Sequence, residues 1–207
     1  MADRSRQRSP LAMVVLSLLA EAPMHAYRMH ELIKQRAKDS VVNVAQRNSV
    51  YQTIARLLRS ELIRVQTTAR DDGRPERVVY EITEEGGEAL QDWLKAMLSS
   101  PTAEFPEFPA ALAFLPVLSP EEVQRQLEAR VTVLEGQLAQ ISAGMKGALA
   151  GGLPRLFLVE DEYRQTMLQA ELGWVRALID ELRAKTITWS PAWLREIAAA
   201  FAGGEKP

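Results

Sequence analysis

The sequence predicts a mainly α-helical fold with a small β-hairpin, and three features of its 207 residues carry that expectation. Residues Arg47 to Arg59 place Val50, Ile54, Leu57 and Leu58 at i, i+4, i+7 and i+8, which gives a short helix one buried face. Arg70 to Arg77 then sets an Asp-Gly turn between two runs that suit strands, with arginines at the rim. Further on, two long patterns alternate apolar spacings of four and three. A helix-turn-helix followed by a basic hairpin is a winged helix. The expected organisation is a winged helix-turn-helix domain over 1–98, a linker over 99–109, and an α-helical domain built on an antiparallel helical hairpin over 110–207.

The first helix begins well, with Ser9 as N-cap, Pro10 at the first helical position, and Leu11, Val15, Leu18 and Leu19 on one face. Arg4, Arg6 and Arg8 before this run, and Ala20-Glu21-Ala22 after it, imitate a secretory signal. We read the run as the first core helix instead; its ten residues are too few to span a bilayer. The second helix is expected from about His25 to Lys38, with Tyr27, Leu32 and Ile33 partly inward. Val41 to Val44 suits a short strand pairing with the wing. The wing strands fall near Arg64–Thr68 and Arg77–Ile82, after which Thr83 caps a helix reaching Leu98. Gly86 and Gly87 weaken that helix by roughly 1 kcal/mol each relative to alanine, so packing must hold it.

Composition narrows the function classes. With 47% apolar and 25% charged residues the chain has the make-up of a globular protein with a real core. The absence of cysteine excludes disulfides, thiolate metal sites and cysteine nucleophiles, and points to a reducing, cytoplasmic setting. His25 and His30, the only histidines, are five apart with no carboxylate pattern beside them to complete a metal site, so no metal or cofactor is expected. There is no nucleophile elbow, no phosphate loop and no His-Glu-x-x-His, which argues against an enzyme. Glu160-Asp161-Glu162 opens a helix, where acidic charge complements the helix dipole.

The net charge of −2 hides an asymmetry. Residues 1–80 hold 14 Lys+Arg against 8 Asp+Glu, and residues 81–207 hold 11 against 19. The basic part contains the two-faced helix. Its polar face carries amides, hydroxyls and guanidinium groups, the chemistry that reads base edges and holds phosphates. Asn48, Ser49, Gln52 and Thr53 are therefore expected to read bases in a major groove, with Tyr51 and Arg56 on or near phosphates. Arg74 and Arg77 aim at the sugar-phosphate backbone from the wing, and Arg47 and Tyr27 complete the DNA-contacting set. The partner implied is double-stranded DNA, with no membrane. The alternative is a winged helix that binds protein, without sequence-specific DNA binding; salt-dependent duplex binding separates the two.

The stretch from Leu11 to Leu98 resembles the PadR family of bacterial transcriptional regulators. The likeness lies in Leu18-Leu19-Ala20-Glu21-Ala22-Pro23-Met24-His25-Ala26-Tyr27, in Ser49-Val50-Tyr51-Gln52-Thr53-Ile54-Ala55-Arg56-Leu57 with Glu61-Leu62-Ile63, and in Arg74-Pro75-Glu76-Arg77-Val78-Val79-Tyr80-Glu81-Ile82-Thr83-Glu84-Glu85-Gly86. The family usually has Gly-Tyr at Ala26-Tyr27, Leu-Tyr-Pro at Val50-Tyr51-Gln52, and glycine at Glu61. The resemblance implies a homodimeric winged-helix repressor whose C-terminal helices dimerise and sense an effector.

Ser99 to Pro109 is a proline-punctuated linker in which Phe105 and Phe108 suggest packing. Beyond it, Leu127, Val131, Leu134, Leu138, Ile141 and Met145 form one stripe, and Leu168, Leu172, Val175, Ile179 and Leu182 another. They are joined by Gly144 to Pro154, where Gly151-Gly152 ends the first helix and Pro154 starts the second. Two apolar stripes on one hairpin call for a twin, and Leu127, Val131, Leu134, Leu138, Leu168, Leu172, Val175 and Ile179 are the expected dimerisation residues; the alternative is that the stripes pack only within one chain and on the winged domain. A dimer suits an inverted-repeat operator. Ser190-Pro191 caps and starts a short helix to Phe201. Trp93 and Trp174, with Trp189 and Trp193 near by in the pattern, are candidates to wall a pocket for a small apolar or aromatic effector between the fourth helix and the hairpin.

Overall fold

The computed structural model describes residues 8–42, 47–69 and 77–202. The chain divides into two compact units, one ending at Ala103 and the other beginning at Glu104.

In the first unit α1 (Pro10–Glu21) is the central helix. Ser9 caps it, its hydroxyl accepting from the Ala12 amide at 3.1 Å, and Ala12, Val15, Leu16, Leu18 and Leu19 are buried. The apolar run that imitated a signal segment is thus the heart of the core. Next comes β1 (Met24–His25), followed by α2 (Ala26–Gln35), capped by His25, whose Nδ1 accepts from the Arg28 amide at 3.0 Å. The helix ends earlier than the expected Lys38, because Ala37 turns left-handed (φ 53°) into a single 3-10 turn, Lys38–Ser40. Then follow α3 (Arg47–Arg59), β2 (Ile63–Ala69), β3 (Arg77–Ile82) and α4 (Glu84–Ser99). Met29 and Ile33 from α2, Val50, Ile54 and Leu57 from α3, Leu62, Ile63 and Trp93 join the α1 core. At roughly 1.5–3 kcal/mol for each large apolar side chain fully buried, this shared core sets where α3 stands.

The three-stranded antiparallel sheet runs β1-β3-β2. Its third strand is not the one expected. Val41 and Val42 form a turn and a bend after the 3-10 helix, with Val44 outside the described residues, and Met24 and His25 pair with Tyr80 and Val79 instead. β-Propensity marked the valine-rich run Val41 to Val44, but two residues beside Pro23, at the end of the α1 connection, had the geometry to reach β3. The wing strands lie where the sequence placed them, and in addition Arg64 stands opposite Glu81, joined at 2.5 Å, with a bulge between Val65 and Thr67. Thr83 caps α4 by accepting from the Gly86 amide at 3.0 Å. Gly86 is required here, since a Cβ would lie 2.0 Å from the Leu62 carbonyl oxygen.

The second unit's first helix is α5 (Glu107–Leu112), which begins inside the stretch expected to be linker, and Phe108 on it packs against the unit's core. Phe105, also expected to pack, is 95% exposed. A 3-10 turn (Leu115–Val117) leads to α6 (Pro120–Ala150), which runs straight through Gly144 and Gly147. Pro154 starts only a 3-10 turn (Arg155–Leu158), and α7 begins at Val159 and ends at Arg183. α8 (Pro191–Ala202) follows, with Ser190 Oγ accepting from the Trp193 amide at 3.2 Å.

Between α6 and α7 the residues expected to dimerise pack within the hairpin. Leu127, Leu134, Leu172, Val175 and Ile179 are already buried against one another within the hairpin, and Val131, Leu138 and Leu168 pack onto that cluster. The two stripes satisfy each other in one chain. Polar rungs reinforce the pairing: Arg183 to Glu128 at 2.7 Å, Arg130 Nε to Glu171 at 2.6 Å, and Arg176 to Glu135. The Trp189 indole donates to the Leu118 carbonyl at 2.8 Å, tying the segment after α7 to the start of α6.

Three helices of the two units end alike. After α3, Glu61 N–H donates to Leu58 O and Leu62 N–H to Leu57 O; after α6, Gly152 and Leu153 bond to Leu149 and Ala148; after α7, Lys185 and Thr186 bond to Leu182 and Glu181. The pivot residue is left-handed each time, at φ 58°, 82° and 58°. This is the Schellman arrangement, and only Gly152 is the residue that adopts it without strain.

Candidate nucleic-acid interface

α3 presents its faces according to its spacing. Val50, Thr53, Ile54 and Leu57, at i, i+3, i+4 and i+7, are buried. Tyr51, Gln52, Ala55 and Arg59 point to solvent, Tyr51 with 56% of its surface exposed. Thr53 was expected to read bases, but it is buried, with 6% of its surface exposed. Its position three residues after Val50 already contained that signal, which the polarity of the side chain obscured. Ala55 was passed over because a methyl group carries no polar signal, yet it shares the outward edge with Gln52.

Arg56 also departs from expectation. Its guanidinium turns back to α1, where Nη2 donates to Ser9 Oγ at 3.0 Å, and its Nε is buried with no hydrogen-bond partner. Because Ser9 also caps α1, one hydroxyl links the start of α1 to the middle of α3. Arg56 therefore positions the helix. Ser49 is half-buried near the start of α3. The backbones of Arg47 and Asn48 belong to α3, and that of Arg77 to β3, but their side chains lie outside the described residues, as does all of Arg74 with the wing tip.

Tyr27, expected to be partly inward, is 61% exposed on α2. It stands across a cleft of about 360 Å³ from Tyr51, with His30, Glu31 and Lys34 along the α2 side. Tyr80 on β3 is close enough to Tyr51 for the two phenols to interact; burial first, and Tyr51 second, push the Tyr80 phenol above its ordinary pKa. The outward edge of α3 is thus flanked by the Tyr27 phenol from α2 and by the base of the wing.

Trp93 is 5% exposed and part of the first unit's core. Trp174, in the second unit, is 49% exposed and meets Phe108 edge-on, with ring centroids 6.2 Å apart. The Arg130 guanidinium stacks 3.6 Å above the same Phe108 ring. Among the described residues no group of three His, Cys, Asp or Glu side chains is placed to hold a metal ion, and Asp161 and Glu162 pair with Arg164 and Arg155. No helix of the described residues is long and apolar enough to cross a membrane.

A helix-turn-helix whose second helix turns a polar edge outward, followed by a two-stranded wing, defines a winged-helix protein. Residues 15–92 match the model of the transcriptional regulator PadR-like family, so the first unit carries a PadR-like domain, and that family comprises transcriptional regulators, not enzymes. Among solved structures, Bacillus subtilis PadR in complex with operator DNA is similar with a TM-score of 0.69 and 17% identity, over 84% of this chain and 99% of that one. Bacillus subtilis PadR in complex with p-coumaric acid gives 0.68 and 16%, over 84% and 98%. The Vibrio cholerae virulence activator AphA gives 0.64 and 23%, over 84% and 99%. At these identities the likeness is one of fold. No curated protein matches the chain significantly.

Proposed function

We propose that the chain is a sequence-specific DNA-binding regulator of transcription, a cytoplasmic homodimeric repressor of the PadR type. The observation that carries this reading is the α3 edge formed by Tyr51, Gln52, Ala55 and Arg59, turned to solvent by a buried Val50-Thr53-Ile54-Leu57 face. Gln52 suits bidentate recognition of adenine, the Ala55 methyl suits apolar contact with a thymine methyl, and Arg59 suits a phosphate or guanine. Asn48, Ser49, Arg47, Arg74 and Arg77 extend the contact set on the same reasoning from residue type and position. The solved complex of Bacillus subtilis PadR with operator DNA supports the assignment by likeness of fold.

A homodimer would read an inverted repeat with half-sites about one helical turn, ~34 Å, apart. Its apolar contacts would come from side chains that the hairpin leaves exposed, such as Val133, Phe157 and Met167, and not from the stripes. Release by a small aromatic effector is supported by the p-coumaric acid complex of Bacillus subtilis PadR and, in this chain, by the half-exposed Trp174 beside Phe108 and Arg130. Gln52→Ala tests the reading of bases: preference should relax at one or two base pairs, each worth ~1–3 kcal/mol, across a panel of single-base operator variants. An identical ranking for variant and wild type would remove Gln52 from base recognition.

A further inference from the structure

The cleft between α2 and α3 has no counterpart in the reading of bases. Its α2 wall is Tyr27, His30, Glu31 and Lys34, spaced i, i+3, i+4 and i+7 and hence on one helix face, and Tyr51 closes the α3 side. The lining supplies two phenol hydroxyls, an imidazole and an ammonium group. Its carboxylate, Glu31, has a cation of its own, with Arg28 Nη1 3.6 Å away. Lys34 lies in the last turn of α2, where the helix dipole favours a cation. Both phenols stand mostly in water although each ring is large and apolar, so neither is placed to serve the core.

We propose that this cleft seats one backbone phosphate of duplex DNA in each half-site, with Lys34 supplying the charge and the Tyr27 and Tyr51 hydroxyls donating to the phosphate oxygens. The inference rests on the DNA-binding reading above and deepens it. Continuity with the α3 edge identifies the occupant. Tyr51 is both a wall of the cleft and the neighbour of Gln52, so a strand whose bases lie under Gln52 carries its phosphates past Tyr51. The donors are also exposed along the rim, with Tyr27, Lys34 and Tyr51 all open to solvent, which suits a polymer passing over the cleft better than a small anion enclosed within it. Such a contact fixes the register of the helix on the duplex without reading sequence.

The test uses the full chain and a duplex selected from a random pool, in which single phosphates are replaced one at a time by neutral methylphosphonate. Wild type should lose affinity sharply at one position per half-site. Lys34→Gln, at an exposed position that leaves the fold intact, should become insensitive to neutralisation there, and its slope of log K against log[salt] should be shallower by about 2 for a dimer. Tyr27→Phe, which keeps the ring and removes the donor, should weaken binding about fivefold per half-site. Parallel salt lines together with an unchanged methylphosphonate pattern for Lys34→Gln would overturn the phosphate seat while leaving DNA binding intact. A wild type that selects no duplex at all would overturn the DNA-binding reading, and the seat with it.

Discussion

Glu61 holds a backbone conformation that glycine adopts without strain. At φ 58° it is the pivot that ends α3, where left-handed geometry costs an L-residue roughly 1–2 kcal/mol. Its carbonyl accepts from Thr83 Oγ1 at 2.8 Å, and that same oxygen caps α4, so the strained pivot anchors the junction of α3, β2 and α4. Glu61→Gly should stabilise the protein by up to about 1 kcal/mol, less what the freer unfolded chain takes back, as read by chemical denaturation. A clear loss of stability would mean that the glutamate side chain contributes more than its backbone costs. Gly86→Ala should do the reverse, costing about 1–3 kcal/mol, because the new methyl meets the Leu62 carbonyl. Arg56→Ala should weaken binding to the specific site with no change in salt slope, since Arg56 spends its guanidinium on Ser9; a slope shallower by about 2 would restore it to the phosphate contacts. At this scale the apolar residues of α3 were legible because burial follows spacing. Thr53 and Arg56 were not, because residue type indicates what a side chain can bind but not which way the fold turns it.

Caps made the elements readable. Ser9, Thr83 and Ser190 each accept a backbone amide at a helix start that the sequence had marked, two of them followed by proline, and Ser119 does the same for α6. What escaped was set by contacts distant in sequence. β1 has two residues and no strand signature of its own; it exists because β3 passes beside it. Proline positions in 99–109 hid α5, which is held by Phe108 against the hairpin. α1 is clamped to the end of α2 by a bidentate pair, Arg36 to Glu21 at 2.6 and 2.7 Å. The Arg36 hydrogen bonds hold the Glu21 carboxyl below its ordinary range. A depressed acid contributes stability above its unfolded pKa of about 4.3 and loses it as pH falls through the lower folded value, so Glu21→Gln should flatten the acid-side decline in stability. Both partners are about half exposed and the effect is accordingly small. Unfolding curves at a series of acidic pH values check it; a decline as steep as in wild type would show that the clamp contributes nothing.

For the whole molecule, the heptad-like stripes predicted the hairpin, whose inner face they line. Periodicity reports that a helix face is covered, and in this chain each stripe is covered by the other. On the proposed homodimer, contacts draw on apolar side chains that the hairpin leaves exposed, so Val133→Glu or Met167→Glu should shift light scattering toward a monomer at micromolar concentration, whereas wild type should scatter as a dimer. A wild-type monomer both free and on DNA would remove the homodimer. The charge asymmetry acts at this scale too: the basic first part is the one that presents α3, and the acidic remainder should stay away from phosphates. The central claim is that α3 and its flanks bind DNA with sequence specificity, and titration of the full chain against its selected duplex and a scrambled one, at several salt concentrations, tests it most directly. Specific binding should be at least about 10³-fold tighter than non-specific, and both should weaken steeply with salt. Equal affinity for the two duplexes, or binding indifferent to salt, would contradict it.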